Sequence, residues 1–247
     1  MLDVCVTDNE IRFGGGVTVG FERTLRIPAD GRPYRVPPGL DVCPLYRVEE
    51  YAKRVPASWR ADGGVFLHLY PWEAMWIAFS GRWWRPNAVK VAVGTVNAVT
   101  GEPWKEGLSC IPQDYIVVPE QPWLGGIAAG QGYIRQFVAA PVNAGHAAGQ
   151  QTTNDEESGK IRITVFEPRP GRFPDEPPDT AWRPKQDAQC FMACRPPTTD
   201  QTSRTAGAAV RQTVRPDEHG LDAWDPDDFG CITIHIVNTA MFRKIAS

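Results

Sequence analysis

The chain is predicted to fold as an all-β domain, a sandwich or jelly-roll-like structure of about ten strands with one short amphipathic helix and a Pro-rich extended strap. Three observations predict it. Period-two alternation recurs in short segments, most cleanly in "VTVGFERTLRI" and "NAVKVAVGTVNAV". Glycine and proline number 23 each in 247 residues, so turns are frequent and long helices are not. The alternating segments follow one another at the spacing of sandwich strands, in a chain long enough to bury a core without staples.

In chain order, residues 3–27 read as a strand pair around the turn "FGGG". Val17, Val19, Phe21, Leu25 and Ile27 are on one face, and Thr18, Glu22, Thr24 and Arg26 on the other. The one amphipathic helix is placed at 46–55, "YRVEEYAKRV", where Tyr46 or Val48, Tyr51, Ala52 and Val55 form a stripe and Pro56 ends it. Strands follow in "GGVFLHLY", after the helical turn of "PWEAMWIAF", in "NAVKVAV", and then in "DYIVV", "YIRQFVAA" and "KIRITVF". Eight prolines between 168 and 197 forbid helix interior and central strand, so 168–200 reads as an extended strap. Trp182, Phe191 and Met192 give it anchors for docking. The strap divides a main β domain, 1–167, from C-terminal strands, 201–247, that complete the same domain. These are "AAVRQTV", "CITIHIV" and a short helix capped by Asn238 or Thr239. "YIRQFV" and "AVRQTV" share an Arg-Gln pair, an internal echo short of a repeat.

A formal charge of -3 provides no basic field, which disfavours nucleic-acid binding. No run of about 18 apolar residues is present, so no membrane insertion is expected. "MLDVCVTDNEIRFGGG" lacks a signal-peptide pattern, making the cytoplasm the default expectation and leaving a non-Sec route open. The cysteines at 5, 43, 110, 190, 194 and 231 are expected to be reduced thiols; Cys190 and Cys194 lack the spacing and the nearby histidine of a zinc site.

The acidic stretch "RPDEHGLDAWDPDDFG" is the leading candidate for a cation site. Asp217, Glu218, Asp222, Asp225, Asp227 and Asp228, with His219, repel one another unless a cation or arginines neutralise them. Calcium suits oxygen ligands on a loop, although the spacing is not that of a calcium-binding loop and Pro226 interrupts it. The alternative is a solvated loop with turn chemistry, and "TNDEESG" is a weaker copy of the same idea. The tryptophans Trp72, Trp76, Trp83, Trp84, Trp104, Trp123 and Trp182 are candidate partner or glycan contacts, against the alternative that they plug the sandwich. For Trp123, in "QPWLGG", the core reading leads. No nucleophile motif or phosphate-cradling loop is visible, and His68, His146, His219 and His235 are scattered.

The segments "GGVFLHLYPWEAMWIAF", "VNAVTGEPW", "QDYIVVPEQPWLGG" and "IRQFVAAP", with "VRQTVRPDEHGLDAW" and "IVNTAMFRKIA", resemble a family of functionally uncharacterised bacterial and fungal proteins. The resemblance covers about two thirds of the chain. It implies a shared fold and carries no activity. The chain departs from that pattern at Gly125, where an aspartate is expected, and in "NAGHAAGQQ".

The leading functional expectation is a non-catalytic structural or interaction protein that self-associates through β edges, aromatic corners and the strap. A carbohydrate- or calcium-binding module is second. A hydrolase-like enzyme with a scattered Cys/His/carboxylate site is third, and no catalytic residue is assigned.

Overall fold

The computed structural model describes residues 1–28, 34, 37–139, 159–178 and 209–247. Trp182, His146, Cys190, Cys194, residues 153–158 and the strap from 179 to 200 lie outside the described residues. The fold is the expected all-β sandwich, with sixteen strands among the described residues where about ten were expected. Turn residues cut the alternating segments into shorter pieces than their pattern suggests. The segment 3–27 alone yields β1 (Val4–Val6), β2 (Glu10–Phe13) and β3 (Val17–Thr24). Then come β4 (Gly39–Val42), β5 (Tyr46–Arg47), α1 (Ala57–Asp62), β6 (Val65–His68), β7 (Ala74–Gly81), β8 (Asn87–Val93) and β9 (Val96–Asn97). The middle of the chain provides β10 (Ile116–Val118), β11 (Trp123–Leu124), β12 (Gly126–Gly130) and β13 (Tyr133–Val138). The C-terminal part provides β14 (Lys160–Pro168), β15 (Ala209–Arg211), β16 (Trp224–Val237) and α2 (Thr239–Ala246).

One sheet has the order β1-β2-β3-β7-β13-β12, with β4 beside β3, β11 beside β7 and β15 beside β13. The other runs β10-β8-β14-β16-β6-β5, with β9 beside β8; among the described residues only the β16–β6 pairing is parallel. Val17, Val19 and Phe21 of β3 and Met75, Ile77 and Phe79 of β7 meet Val89 and Val91 of β8, Ile161, Ile163 and Val165 of β14, and Ile234 of β16 in the main core. The second sheet is covered on its outer face as well. Tyr115, Val117, Phe166 and Trp224 pack at one end, and Val48, Val55, Phe66, Val237 and Ile245 at the other. A strand buried on both faces has to be apolar at nearly every position, and "NAVKVAV" is, apart from Asn87 and Lys90, both of them buried.

Three sequence expectations are corrected here. The helix expected over 46–55 is instead the extended pair Tyr46–Arg47 followed by a 3-10 turn, Val48–Tyr51. Its stripe does point inward, but Tyr46 and Arg47 are drawn into β pairing with Phe66 and Val65, and tertiary pairing overrides helix propensity. Pro56 opens α1 rather than closing a helix, a position where its missing N–H costs nothing. Second, β16 begins at Trp224, so Asp225, Asp227 and Asp228 belong to a strand and not to the acidic loop. They bulge out of it, since pairing with β14 jumps from Phe166–Phe229 to Pro168–Trp224. Third, β3 stops at Thr24 with a register shift against β4, and Leu25 turns outward instead of continuing the inner face.

The strand edges are tied across the sandwich. Leu2 N–H donates to Phe229 O, Leu45 N–H to Asp8 O, and Ala128 N–H to Ala98 O. These bonds occupy edge groups that would otherwise recruit another strand. The two Arg-Gln segments lie side by side, β13 against β15, and their glutamines act alike. Gln136 bonds Leu25 O and Ile27 N–H, while buried Gln212 accepts from Gly125 N–H. The described start of the strap is docked: Arg169 N–H donates to Ala223 O, and Phe173 stacks on Trp224. Asn238 caps α2 by accepting from Met241 N–H, as its position suggested. No described helix is long and apolar enough to cross a membrane.

Candidate functional site

Where β3 ends, the sandwich carries an aromatic corner. Leu25 is 42% exposed, Leu40 on β4 53% and Tyr70 57%. Thr24 pairs with Gly39 on one side and Ala74 on the other, which brings the strand ends carrying these side chains together. Trp72 stands beside them with φ at 68°, a left-handed backbone that is an outlier for a bulky residue. The conformation is held by a bond from Trp72 N–H to Ala139 O, 2.7 Å, and by the Arg26 guanidinium 4.7 Å from the indole centroid. Beneath the corner, half-buried Arg23 donates to Glu73 Oε2 at 2.6 Å and to His68 O at 2.9 Å. The same Glu73 oxygen accepts from Tyr70 N–H, so one ion pair fixes the loop that presents Tyr70 and Trp72. Burial, and then the neighbouring Asp41 charge, push the Glu22 carboxyl up from its usual range.

The acidic stretch is organised by a single carboxylate. Asp217 Oδ2 accepts from the Tyr115 hydroxyl at 2.5 Å and from the Trp224 indole at 2.9 Å, and Oδ1 accepts from His219 N–H at 2.8 Å. Burial alone would raise this carboxyl, but these bonds outweigh it and hold it below the usual carboxylate range. The other carboxylates disperse. Asp222 faces Arg172 at 3.6 Å, Asp225 accepts from Asp227 N–H, Asp228 lies 3.1 Å from the Met1 amino group, and Glu218 is exposed. Among the described residues no three His, Cys, Asp or Glu side chains are grouped closely enough to hold a metal ion.

The tryptophans divide among several places. Trp76 and Trp123 lie on the outer face of the first sheet, where Trp123 is paired opposite Ala78. Leu124, not Trp123, enters the main core. Trp83 and Trp84 make an edge-to-face pair at the β7–β8 turn, the opposite end of β7 from Trp72. Trp104 covers the outer face of the second sheet, 4.6 Å from Lys90 Nζ. The indole N–H groups of Trp76 and Trp84 are buried without an acceptor among the described residues.

Comparison with protein-family models, with curated proteins and with solved structures returned no match.

Cys43, His68 and His235 are held in structural roles, while Cys5, Cys110 and Cys231 are exposed thiols. Burial pushes the Cys43 thiol up to about 12, so it stays protonated at neutral pH. His68 Nε2 bonds Thr239 Oγ1, His235 Nε2 bonds Gly63 O, and the His235 ring stacks on Trp59. Burial, their largest influence, lowers both imidazoles from the ordinary range. Each is therefore protonated more easily in the unfolded chain, and its contribution to stability is complete above the ordinary imidazole value of about 6.5 and declines as pH falls through it. Urea midpoints measured at pH 7.5 and 5.5 are expected to fall toward the acid side. That fall should be smaller in His235→Phe, which keeps a ring against Trp59.

Tyr70, Leu40 and the Lys90–Asp114 pair were not singled out from the sequence. A lysine centred in "NAVKVAV" was the one available signal, because a cation within an apolar strand requires a buried partner. Leu40 gave none, as an exposed leucine in a turn-rich segment is ordinary.

Proposed function

We propose that the protein is a non-catalytic interaction protein that binds a second copy of itself through the aromatic corner of Leu25, Leu40, Tyr70 and Trp72. The left-handed backbone of Trp72 carries this reading. A costly conformation is maintained there by a dedicated hydrogen bond and a stacked arginine, beside three large apolar side chains left in solvent. Charges of both signs border the corner, the Arg26 guanidinium stacked on Trp72 and the Glu22 and Asp41 carboxylates, and a self-complementary interface needs both signs on one patch. At β12 and beside β1 and β5, pairing through a sheet edge would first have to break bonds across the sandwich.

Leu40→Asp tests the corner, since it introduces a charge at an exposed position of a short strand. Its melting temperature should stay close to that of the parent. Its self-dissociation constant, from light scattering across a dilution series, should rise at least about tenfold. An unchanged constant with an unchanged melt would remove the corner from the interface.

A further inference from the structure

At the opposite end of β7 from the corner, the turn Gly14–Gly16 between β2 and β3 and the β7–β8 loop enclose an open cleft of about 380 Å³. Its walls carry Arg82, Arg85, Glu167, Asp175 and Asp228. Most of these charges are neutralised. Arg85 joins Glu167 at 3.2 Å to Asp175 at 2.5 Å, the other Glu167 oxygen accepts from Asn87 Nδ2, and Asp228 faces the Met1 amino group. Arg82 has no side-chain hydrogen bond or ion pair among the described residues. The glycine turn leaves room for its guanidinium: a Cβ on Gly15 would come within 2.6 Å of Arg82 Nη2, and one on Gly16 within 2.7 Å of Asn87 Oδ1. A guanidinium with open donors, seated over the glycine turn in a cleft large enough for a small molecule, is an anion-recognition element. The exposed Asp175, with one oxygen on Arg85, and Asp228 supply acceptors around it, which suits a ligand rich in hydroxyl donors.

We infer that this cleft binds a small carboxylate bearing several hydroxyl groups, a sugar acid in chemical class, with the carboxylate on Arg82 and hydroxyls on Asp175 and Asp228. The site is separate from the self-association corner, and its occupancy does not depend on that reading.

The test is an NMR titration of the ¹⁵N-labelled full chain with D-glucuronate, D-glucose, acetate and inorganic phosphate, following the Gly15 amide and the Arg82 side-chain Nε–H. D-glucuronate is expected to saturate both signals with a dissociation constant on the order of 1 mM or tighter. Glucose, acetate and phosphate should each bind at least about tenfold more weakly. Arg82→Gln should remove the glucuronate response while leaving the melting temperature unchanged, because among the described residues that side chain makes no hydrogen bond or ion pair. Asp175→Asn should weaken binding less than Arg82→Gln does. No saturable shift with glucuronate would overturn the proposal, as would an undiminished response in Arg82→Gln. Acetate or phosphate binding as tightly as glucuronate would reduce the cleft to a plain anion site and overturn the assigned class.

Discussion

Replacing Lys90 by methionine is expected to destabilise the protein by about 3–5 kcal/mol, the cost of removing one partner from a buried ion pair. The Lys90 side chain is 1% exposed in the middle of β8, and its ammonium spends all three protons. They go to Lys105 O at 2.6 Å, to Gly107 O and to Asp114 Oδ2 at 2.7 Å. The second Asp114 oxygen accepts from Ser109 N–H, and Asn97 Nδ2 donates to the Asp114 carbonyl. One cation thus clamps the loop between β9 and β10 onto the outer face of the second sheet, beneath the Trp104 ring. Methionine fits the volume but leaves one oxygen of the Asp114 carboxylate and two carbonyl oxygens facing one another without the lysine donor. The urea midpoint should drop accordingly, with the slope of the transition unchanged. The Asp114→Asn change should cost less in the Lys90→Met background than alone, because the charge it removes there is already unpaired. Additive losses in that double-mutant cycle would show that the two groups do not depend on each other.

Trp224→Ala should cost about 3–5 kcal/mol, the usual range for a large aromatic removed from a core. For a domain of this size that corresponds to a melting temperature roughly 10 °C lower. Trp224 is buried, stacks on Phe173, and donates to Asp217. Its loss opens a cavity under the docked start of the strap and removes one of the bonds that hold the Asp217 carboxyl ionised. Trp224→Phe should recover much of the packing but not that bond. Asp217 should then lose its stabilising effect at a higher pH than in the parent, since a carboxyl held low contributes fully above its ordinary value and loses that contribution as pH falls through its folded value. Acid titration followed by the Tyr115 ring signals would show the difference; identical titrations in parent and Trp224→Phe would mean the indole bond contributes nothing.

The fold class was legible because it depends on alternation, and alternation survives tertiary context. Val89 and Val91 face the main core and Lys90 the other side, as the pattern of "NAVKVAV" required. What the pattern could not give was pairing. Tyr46 opens a helix-like stripe with Tyr51 and Val55, but β6 supplies Tyr46 and Arg47 with a strand partner that local propensity does not register. The acidic stretch looked like one cluster because its residues are adjacent in sequence. The fold separates them, drawing Asp217 under Tyr115 and Trp224 and setting Asp225, Asp227 and Asp228 on a bulged strand. Likewise the tryptophans share a residue type but not a face. Of them, Trp72 gained significance only through a backbone angle that no spacing rule reports.

The most direct test of self-association through the corner is sedimentation velocity on the unaltered protein over about 1–100 µM, run in EDTA and again with calcium. The account predicts a concentration-dependent shift from monomer to dimer in both buffers, lost in Leu40→Asp. A monomer across the whole range in EDTA would contradict it, and dimerisation seen only with calcium would transfer the interface from the aromatic corner to the dispersed carboxylates of the acidic stretch.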